Sequence, residues 1–458
     1  MAEATVTEIQ TAQGEAVRQV RSPASGLLSD TAAVMGAQAV ALVTGTATAI
    51  ITARALGPDG RGVLALATLW VGLFALALPM SAGYGFLYHI GQGRISLSRA
   101  LSNTLTFATL VGVLGIVISC GMALAWGARL VPGVAFTYVL IAALALPAMV
   151  FGSTASLCLT GAGWIKLGAL IGALSSLVSV TLCCVLVLGL RLGVTGALWA
   201  VTGGAYANSL LLLALVGRRV RLRPALDVRA VISAVRFSLK MHAGFIAQFL
   251  NYRLDRFIVN FFLGPAAVGI YGIAVVLSEL IWSVPGAVGT ALYPRTSSTR
   301  RDSAEVTARA CRMSLLVVGA LCVGAALLGP LLIPVVFGQA FAGAVPALWA
   351  LLPGVFVLTA GKAVSPYLVG HNRPIVGTWG SLASLVVTIA LDVALIPRWG
   401  IVGAGIASSV AYTTGAIVFV TWYGKMARVS PLRALIPDGR DVMEMIRLIA
   451  RAHGGGGR

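Results

Sequence analysis

Two short motifs each occur twice in this 458-residue chain, and both pairs are separated by 207 positions. Leu56-Gly57-Pro58-Asp59-Gly60-Arg61-Gly62 matches Leu263-Gly264-Pro265-Ala266-Ala267-Val268-Gly269 in the pattern L-G-P-x-x-x-G. Arg191-Leu192-Gly193-Val194-Thr195-Gly196-Ala197-x-x-Ala200 matches Arg398-Trp399-Gly400-Ile401-Val402-Gly403-Ala404-x-x-Ala407. One offset shared by two independent motifs points to two structural repeats, each about 200 residues long. Repeats arranged about a central site are a frequent plan of membrane transporters.

The chain is 58% hydrophobic and only 10% charged, whereas a soluble domain carries about 25% charge. It therefore reads as an integral membrane protein. Apolar runs of roughly 20 residues suffice to cross a hydrocarbon core of ~30 Å. Between charged and Gly/Pro breaks such runs fall near 31–55, 63–88, 100–126, 135–159, 166–190, 194–216, 239–263, 268–292, 313–337, 345–368, 375–396 and 401–423. The expected fold class is thus all-α, with twelve transmembrane helices in two six-helix lobes. An even number of spans sends both repeats into the membrane in the same direction. Their pseudo-two-fold axis is then expected along the membrane normal, since in-plane inversion needs an odd number per half.

With a cytoplasmic N-terminus, 25 of the 33 Lys and Arg residues fall in inner segments, including seven from Arg218 to Lys240. Only Arg61, Arg129, Arg191 and Arg398 fall in outer loops, while Arg54, Arg253, Arg256 and Lys362 lie within or at the edge of spans. This asymmetry places both termini in the cytoplasm and the protein in the cell membrane. The net charge of +19 follows from an inner surface facing anionic lipid, so membrane lipids are expected partners and nucleic acid is not. The cluster from Arg218 to Arg236 is expected to set topology without touching cargo.

The domain plan is a cytoplasmic N-tail (1–30), an N-lobe (31–216), a cytoplasmic inter-lobe linker (217–238), a C-lobe (239–423) and a cytoplasmic C-tail (424–458). In that C-tail Val442, Met445, Ile446 and Ile449 share a helical face, expected to lie on the inner leaflet. The N-tail lacks an apolar core before Ala24, so the first span itself is expected to direct insertion. The six cysteines lie in or beside spans at no metal-binding spacing. No cofactor or metal is implied. Trp126, Trp349 and Trp399 at outer ends, and Trp164 and Trp422 at inner ends, read as interfacial anchors.

Function must come from polar groups inside the membrane, where ionisable residues are costly and usually face a cavity. The seventh span stands out. On a helical wheel Gln248, Asn251, Tyr252, Asp255 and Arg256 share one arc with Arg253 and Asn260 at its edge, opposite Ala247, Leu250, Leu254, Phe257 and Phe261. The eighth span adds Glu279 near its midpoint, the tenth adds Lys362 and the eleventh adds Asp392. Two readings stay open: these charges pair off, Asp255 with one arginine and Glu279 with the other, or they line a hydrated cavity. In the second reading the arginines receive an anion, because a guanidinium binds phosphate oxygens in a bidentate manner and stays charged when desolvated. Arg256, supported by Arg253, is then the phosphate contact, with Asp255 holding the arginines or acting as a protonatable switch.

The segment Arg253-Leu-Asp-Arg-Phe-Ile-Val-Asn-Phe-Phe-Leu-Gly-Pro-Ala-Ala-Val-Gly269-Ile-Tyr271-Gly-Ile-Ala274, followed by Pro285 and Tyr293-Pro294, resembles the oligosaccharide flippases of the polysaccharide-transporter branch of the MOP superfamily. Ala55-Leu-Gly-Pro-Asp-Gly-Arg-Gly-Val-Leu64 is similar to that family's first turn. The superfamily also holds MATE multidrug exporters and lipid II flippases, the latter with a fourteen-helix arrangement from which twelve spans depart. The resemblance implies a MATE-like pair of lobes around a V-shaped cavity that opens alternately to either side. It also implies a polyprenyl-pyrophosphate-linked oligosaccharide as cargo, moved from the cytoplasmic to the outer leaflet during polysaccharide biosynthesis or export, with polysaccharide polymerase and assembly proteins as further partners. The competing reading is a cation-coupled multidrug antiporter, which needs a carboxylate-rich cavity. Over all the spans Arg253, Arg256 and Lys362 are balanced by Asp255, Glu279 and Asp392, so clustering decides between the two. An enzyme of polysaccharide assembly would carry a large outer loop, and none is present in the sequence.

Overall fold

The computed structural model describes residues 24–292, 300–371, 373 and 375–428, with 430 and 435. The apolar stripe from Val442 to Ile449 and most of the N-tail lie outside the described residues. Among these the chain is helical, with α1 (Ala24–Ala77), α2 (Ala82–Gly91), α3 (Leu97–Leu130), α4 (Phe136–Ala143), α5 (Leu146–Gly161), α6 (Ile165–Cys183) and α7 (Gly193–Gly217) in the first repeat. The second holds α8 (Val228–Leu292), α9 (Arg300–Phe337), α10 (Ala344–Gly370) and α11 (Ile375–Ala427). A single π-helical stretch, Cys184–Gly189, extends α6.

Nine described helical stretches are long and apolar enough to cross a membrane, and those at 29–77, 228–283 and 375–427 contain 49, 56 and 53 residues. That is about twice what one crossing needs. Each is broken at one glycine: Gly57 (φ 67°, ψ −177°) in α1, Gly264 (φ 81°, ψ 177°) in α8 and Gly400 (φ 58°, ψ −140°) in α11. A side chain is strained in this backbone region, and Pro58 or Pro265 then fixes φ for the arm that follows. Gly193, the repeat partner of Gly400, has φ 59°. Both motif pairs thus adopt matching turns, and the spans expected on either side of positions 57, 264 and 400 fall on opposite sides of the breaks.

The two Leu-Gly-Pro turns meet each other. A Cβ on Gly62 would lie 1.8 Å from the Pro265 carbonyl oxygen, and one on Gly269 would lie 1.9 Å from that of Pro58. This contact is reciprocal, as a two-fold axis passing between the repeats requires. Around it Ala49, Ala53 and Leu66 of the first repeat pack into one apolar cluster with Val259, Val268, Tyr271 and Phe337 of the second. Arg54 adds a latch: its guanidinium donates to the carbonyls of Val336 (2.8 Å) and Val335 at the end of α9. These carbonyls have no partner within their own helix and form the negative end of its dipole. The repeats are therefore closed against each other at the face that carries the two Leu-Gly-Pro turns.

At the opposite face α8 lies along α2. Tyr84 stacks on Phe245 and Tyr88 on Phe237, with ring centroids 4.9 and 4.1 Å apart, and the Ser81 hydroxyl lies 2.8 Å from His242 Nδ1. Two details differ from expectation. The span expected at 63–88 is interrupted at 78–81, where Pro79 has no N–H to continue the helix and Met80 and Ser81 have positive φ. Helix α8 begins at Val228, within the expected linker, because Asp227 caps it through Ala230 N–H at 3.1 Å. Only 218–227 remains non-helical in the larger part, and it is strapped to α3 by Ser98 (2.6 Å to the Arg221 carbonyl), Ser102, Asn103 and Arg99.

The outward surface is apolar. Leu124 on α3 and its repeat partner Leu331 on α9 are 69% and 63% exposed, which suits contact with lipid tails.

Candidate functional site

Between α1, α2, α5 and α8 lies a cavity of about 730 Å³ lined by Pro79, Ser81, Tyr84, Ser153, Thr154, Ser156, Gln248, Tyr252 and Arg253. Its wall from the second repeat is the polar arc expected from the sequence, yet that arc divides. Gln248, Tyr252 and Arg253 face the cavity, whereas Asn251 and Asp255 turn into the second repeat. Asn251 accepts the Thr388 hydroxyl at 2.9 Å. Asp255 is 1% exposed and accepts the Tyr271 hydroxyl at 2.7 Å and the Arg256 backbone N–H at 2.8 Å, with Ser408 at 3.5 Å.

The expected one-to-one pairing is replaced by a different one. Glu279 takes both arginines: Arg253 Nη1 lies 2.6 Å and Arg256 Nη2 3.4 Å from its Oε1. Arg256 Nε is buried without a hydrogen-bond partner among the described residues. Lys362 Nζ lies over the Trp282 ring at 4.5 Å and the Tyr252 ring at 5.7 Å, where ring quadrupoles stabilise a desolvated ammonium. Tyr412 completes this aromatic group, 5.7 Å from Trp282.

Burial breaks the charge balance counted from the sequence. Asp255 and Asp392, at 1% and 0% exposure, lie inside the second repeat. Neither oxygen of Asp392 has a hydrogen-bond partner among the described residues. Burying a carboxylate without such a partner is costly. Of the described charged residues Arg253 lines the cavity, Glu279 joins it to Arg256, and Lys362 lies over the ring of Tyr252, another residue of the cavity wall.

Sequence reasoning missed Arg61, which was expected in a solvated outer loop. It lies within α1 and its Nη1 donates to the Thr52 hydroxyl at 2.6 Å and the Ala49 carbonyl at 3.0 Å. The available signal was the departure of the two motifs from each other, Arg61 standing where the second repeat has Val268. Tyr271, Ser408 and Thr388 were also missed, because ordinary hydroxyls in apolar helices carry no signal until a partner is placed beside them.

Two helical repeats flanking a cavity with an arginine in its wall follow the plan of repeat-built membrane transporters. The fold is shared with solved transporters of the MOP superfamily. Lipid II flippase MurJ in an inward closed conformation superposes with a TM-score of 0.71 at 12% identity, over 88% of this chain and 90% of that one. An inward-facing MATE-family multidrug resistance transporter gives 0.66 at 16% identity, over 86% and 98%. In sequence, residues 51–346 match the family described as polysaccharide biosynthesis protein, and the chain belongs to that family. The protein named "Probable flippase AglR" of Haloferax volcanii is 28% identical over 198 residues, a match that spans 39% of the length of each.

Proposed function

We propose that this protein is a flippase that carries a polyprenyl-pyrophosphate-linked oligosaccharide from the cytoplasmic to the outer leaflet of the cell membrane, by alternating access of the lobes 31–216 and 239–423. The observation that carries the proposal is the sign of the cavity. Arg253 in the cavity wall, with Arg256 and Lys362 close behind it, outnumbers the one carboxylate, Glu279, that joins the arginines, while Asp255 and Asp392 are buried inside the second repeat. That wall repels a cationic drug and receives a phosphate, since planar guanidiniums match phosphate oxygens. A pyrophosphate crossing bare hydrocarbon would meet a prohibitive desolvation cost. The lipid tail stays in the bilayer and only the head group needs the polar path. Family membership and the flippase name of the relative support the same reading. Asp255, hydrogen-bonded to Tyr271 and in no ion pair with either guanidinium among the described residues, fits the switch role better than the role of holding the arginines.

The test uses vesicles containing the purified protein and a labelled polyprenyl-diphosphate oligosaccharide in both leaflets. An impermeant glycosidase added outside is expected to digest the outer-leaflet share without protein and nearly all of the label with it. Equal digestion in both samples overturns the proposal.

A further inference from the structure

We infer that Arg61 is a cargo-binding residue that forms, with Arg256, a diphosphate seat straddling the two repeats directly beneath the outer closure. The inference rests on the flippase reading for the identity of its ligand and adds the residue contributed by the first repeat. Arg61 turns inward, so that its guanidinium sits on the Ala49 carbonyl. Ala49 and Arg256 differ by the 207-residue repeat offset. Each lies eight residues before the glycine that breaks its helix, Gly57 or Gly264, or about 12 Å along the axis. The two guanidiniums thus share one depth on opposite sides of the repeat axis, and they repel each other.

Their surroundings neutralise them only in part. Among the described residues no carboxylate lies within ion-pair distance of Arg61, and Glu279 is held by Arg253 at 2.6 Å while reaching Arg256 only at 3.4 Å. Arg256 Nε remains buried and unpartnered. Leu66 and Val259 pack the seam, so water does little to screen the repulsion. An anion placed on the axis would relieve it, and a diphosphate has enough oxygens for two forks. Because the two halves ride on different repeats, bound diphosphate ties them together. Separation of the repeats at the outer face takes the seat apart, so release follows from opening.

The experiment measures thermal unfolding and binding of the purified protein in lipid nanodiscs, with inorganic pyrophosphate in one arm and polyprenyl diphosphate in the disc lipid in the other. Wild type is expected to bind both. A response to the lipid alone also supports the seat, whereas a response to pyrophosphate alone, or to neither, overturns it. In Arg61→Gln the unliganded Tm holds or rises because repulsion is relieved, while affinity falls about tenfold, the size of one charge-assisted contact. Combined with Arg256→Gln, the losses are non-additive. If Arg61 only pins α1, Arg61→Gln lowers the unliganded Tm and leaves both affinities unchanged, which overturns the inference. Should that variant not fold, Arg61→Lys decides: charge without the fork weakens binding severalfold if Arg61 grips the ligand, and unchanged binding overturns it. Loss of transport in vesicles with Arg61-dependent binding intact sinks the flippase reading and spares the seat. Transport and affinity both at wild-type level in Arg61→Gln sink the seat and spare the flippase.

Discussion

Asp255 and Arg256 are neighbours in sequence but serve different surroundings, because a helix turns by about 100° per residue and carries adjacent side chains to different faces. Asp255 is tied to Tyr271 in the core of the second repeat, and Arg256 leans toward the seam and Glu279. A double-mutant cycle on thermal stability is therefore expected to couple Asp255→Asn with Tyr271→Phe by about 1 kcal/mol or more, and Asp255→Asn with Arg256→Gln by less. The reverse order would mean that the acid serves the guanidinium after all. In the strap, Asp227 caps α8 and contacts Arg99 at 2.7 Å. The Ala230 N–H first, and then the Arg99 guanidinium, hold its carboxyl below the usual 3.8. A carboxylate depressed on folding stabilises at all pH above its unfolded value and stops doing so as pH falls through the folded one. Acidification below about pH 4 is therefore expected to loosen the strap, seen as new pepsin cleavage within 218–227 of the solubilised protein. Asp227→Ala should bring that cleavage to higher pH, and a pH-independent pattern in wild type would refute the cap.

At the scale of elements, the Leu-Gly-Pro turns do two jobs: each bends its own helix, and each supplies the glycine against which the other turn packs. Substituting Gly62 with Ala puts a methyl on a backbone carbonyl that cannot rotate away, so the repeats must part at this contact. The reciprocal geometry predicts that Gly269→Ala does the same to a similar degree. Both variants are expected to raise labelling of a cysteine placed at Val268 by an impermeant maleimide added from outside; a rise in one and not the other would break the two-fold relation. Much of this level was legible in the sequence, since a positive φ followed by proline is a local demand that only Gly-Pro meets. The strap at 218–227 was not, because it is held by Ser98, Ser102 and Asn103, whose partners lie more than 100 residues away. Within the site the helical wheel gave the polar arc of the seventh span but not the neighbour that each residue meets. Hence Asp255 and Asn251 were grouped with cavity residues, and Arg61 was assigned to solvent.

Over the whole molecule, the proposed sign of the cargo rests on how the charges divide between buried core and cavity wall, and Glu279 is the one carboxylate among the described residues that pairs with the arginines of α8's polar arc. In an anion carrier it tempers the wall: it occupies Arg253 and keeps the cargo from binding too tightly to leave. Glu279→Gln retains the shape and an acceptor but frees the arginines. It is expected to tighten binding of inorganic pyrophosphate severalfold while slowing turnover of lipid-linked oligosaccharide in vesicles, because release from an alternating-access site becomes harder as ground-state binding grows. A cation-coupled drug antiporter behaves in the opposite way, since the same carboxylate would be the cargo's partner. In that case Glu279→Gln abolishes ethidium efflux from cells expressing the protein and leaves pyrophosphate binding unaltered. The two measurements on one variant therefore separate the flippase from its nearest competitor by the sign of the effect and not by its size.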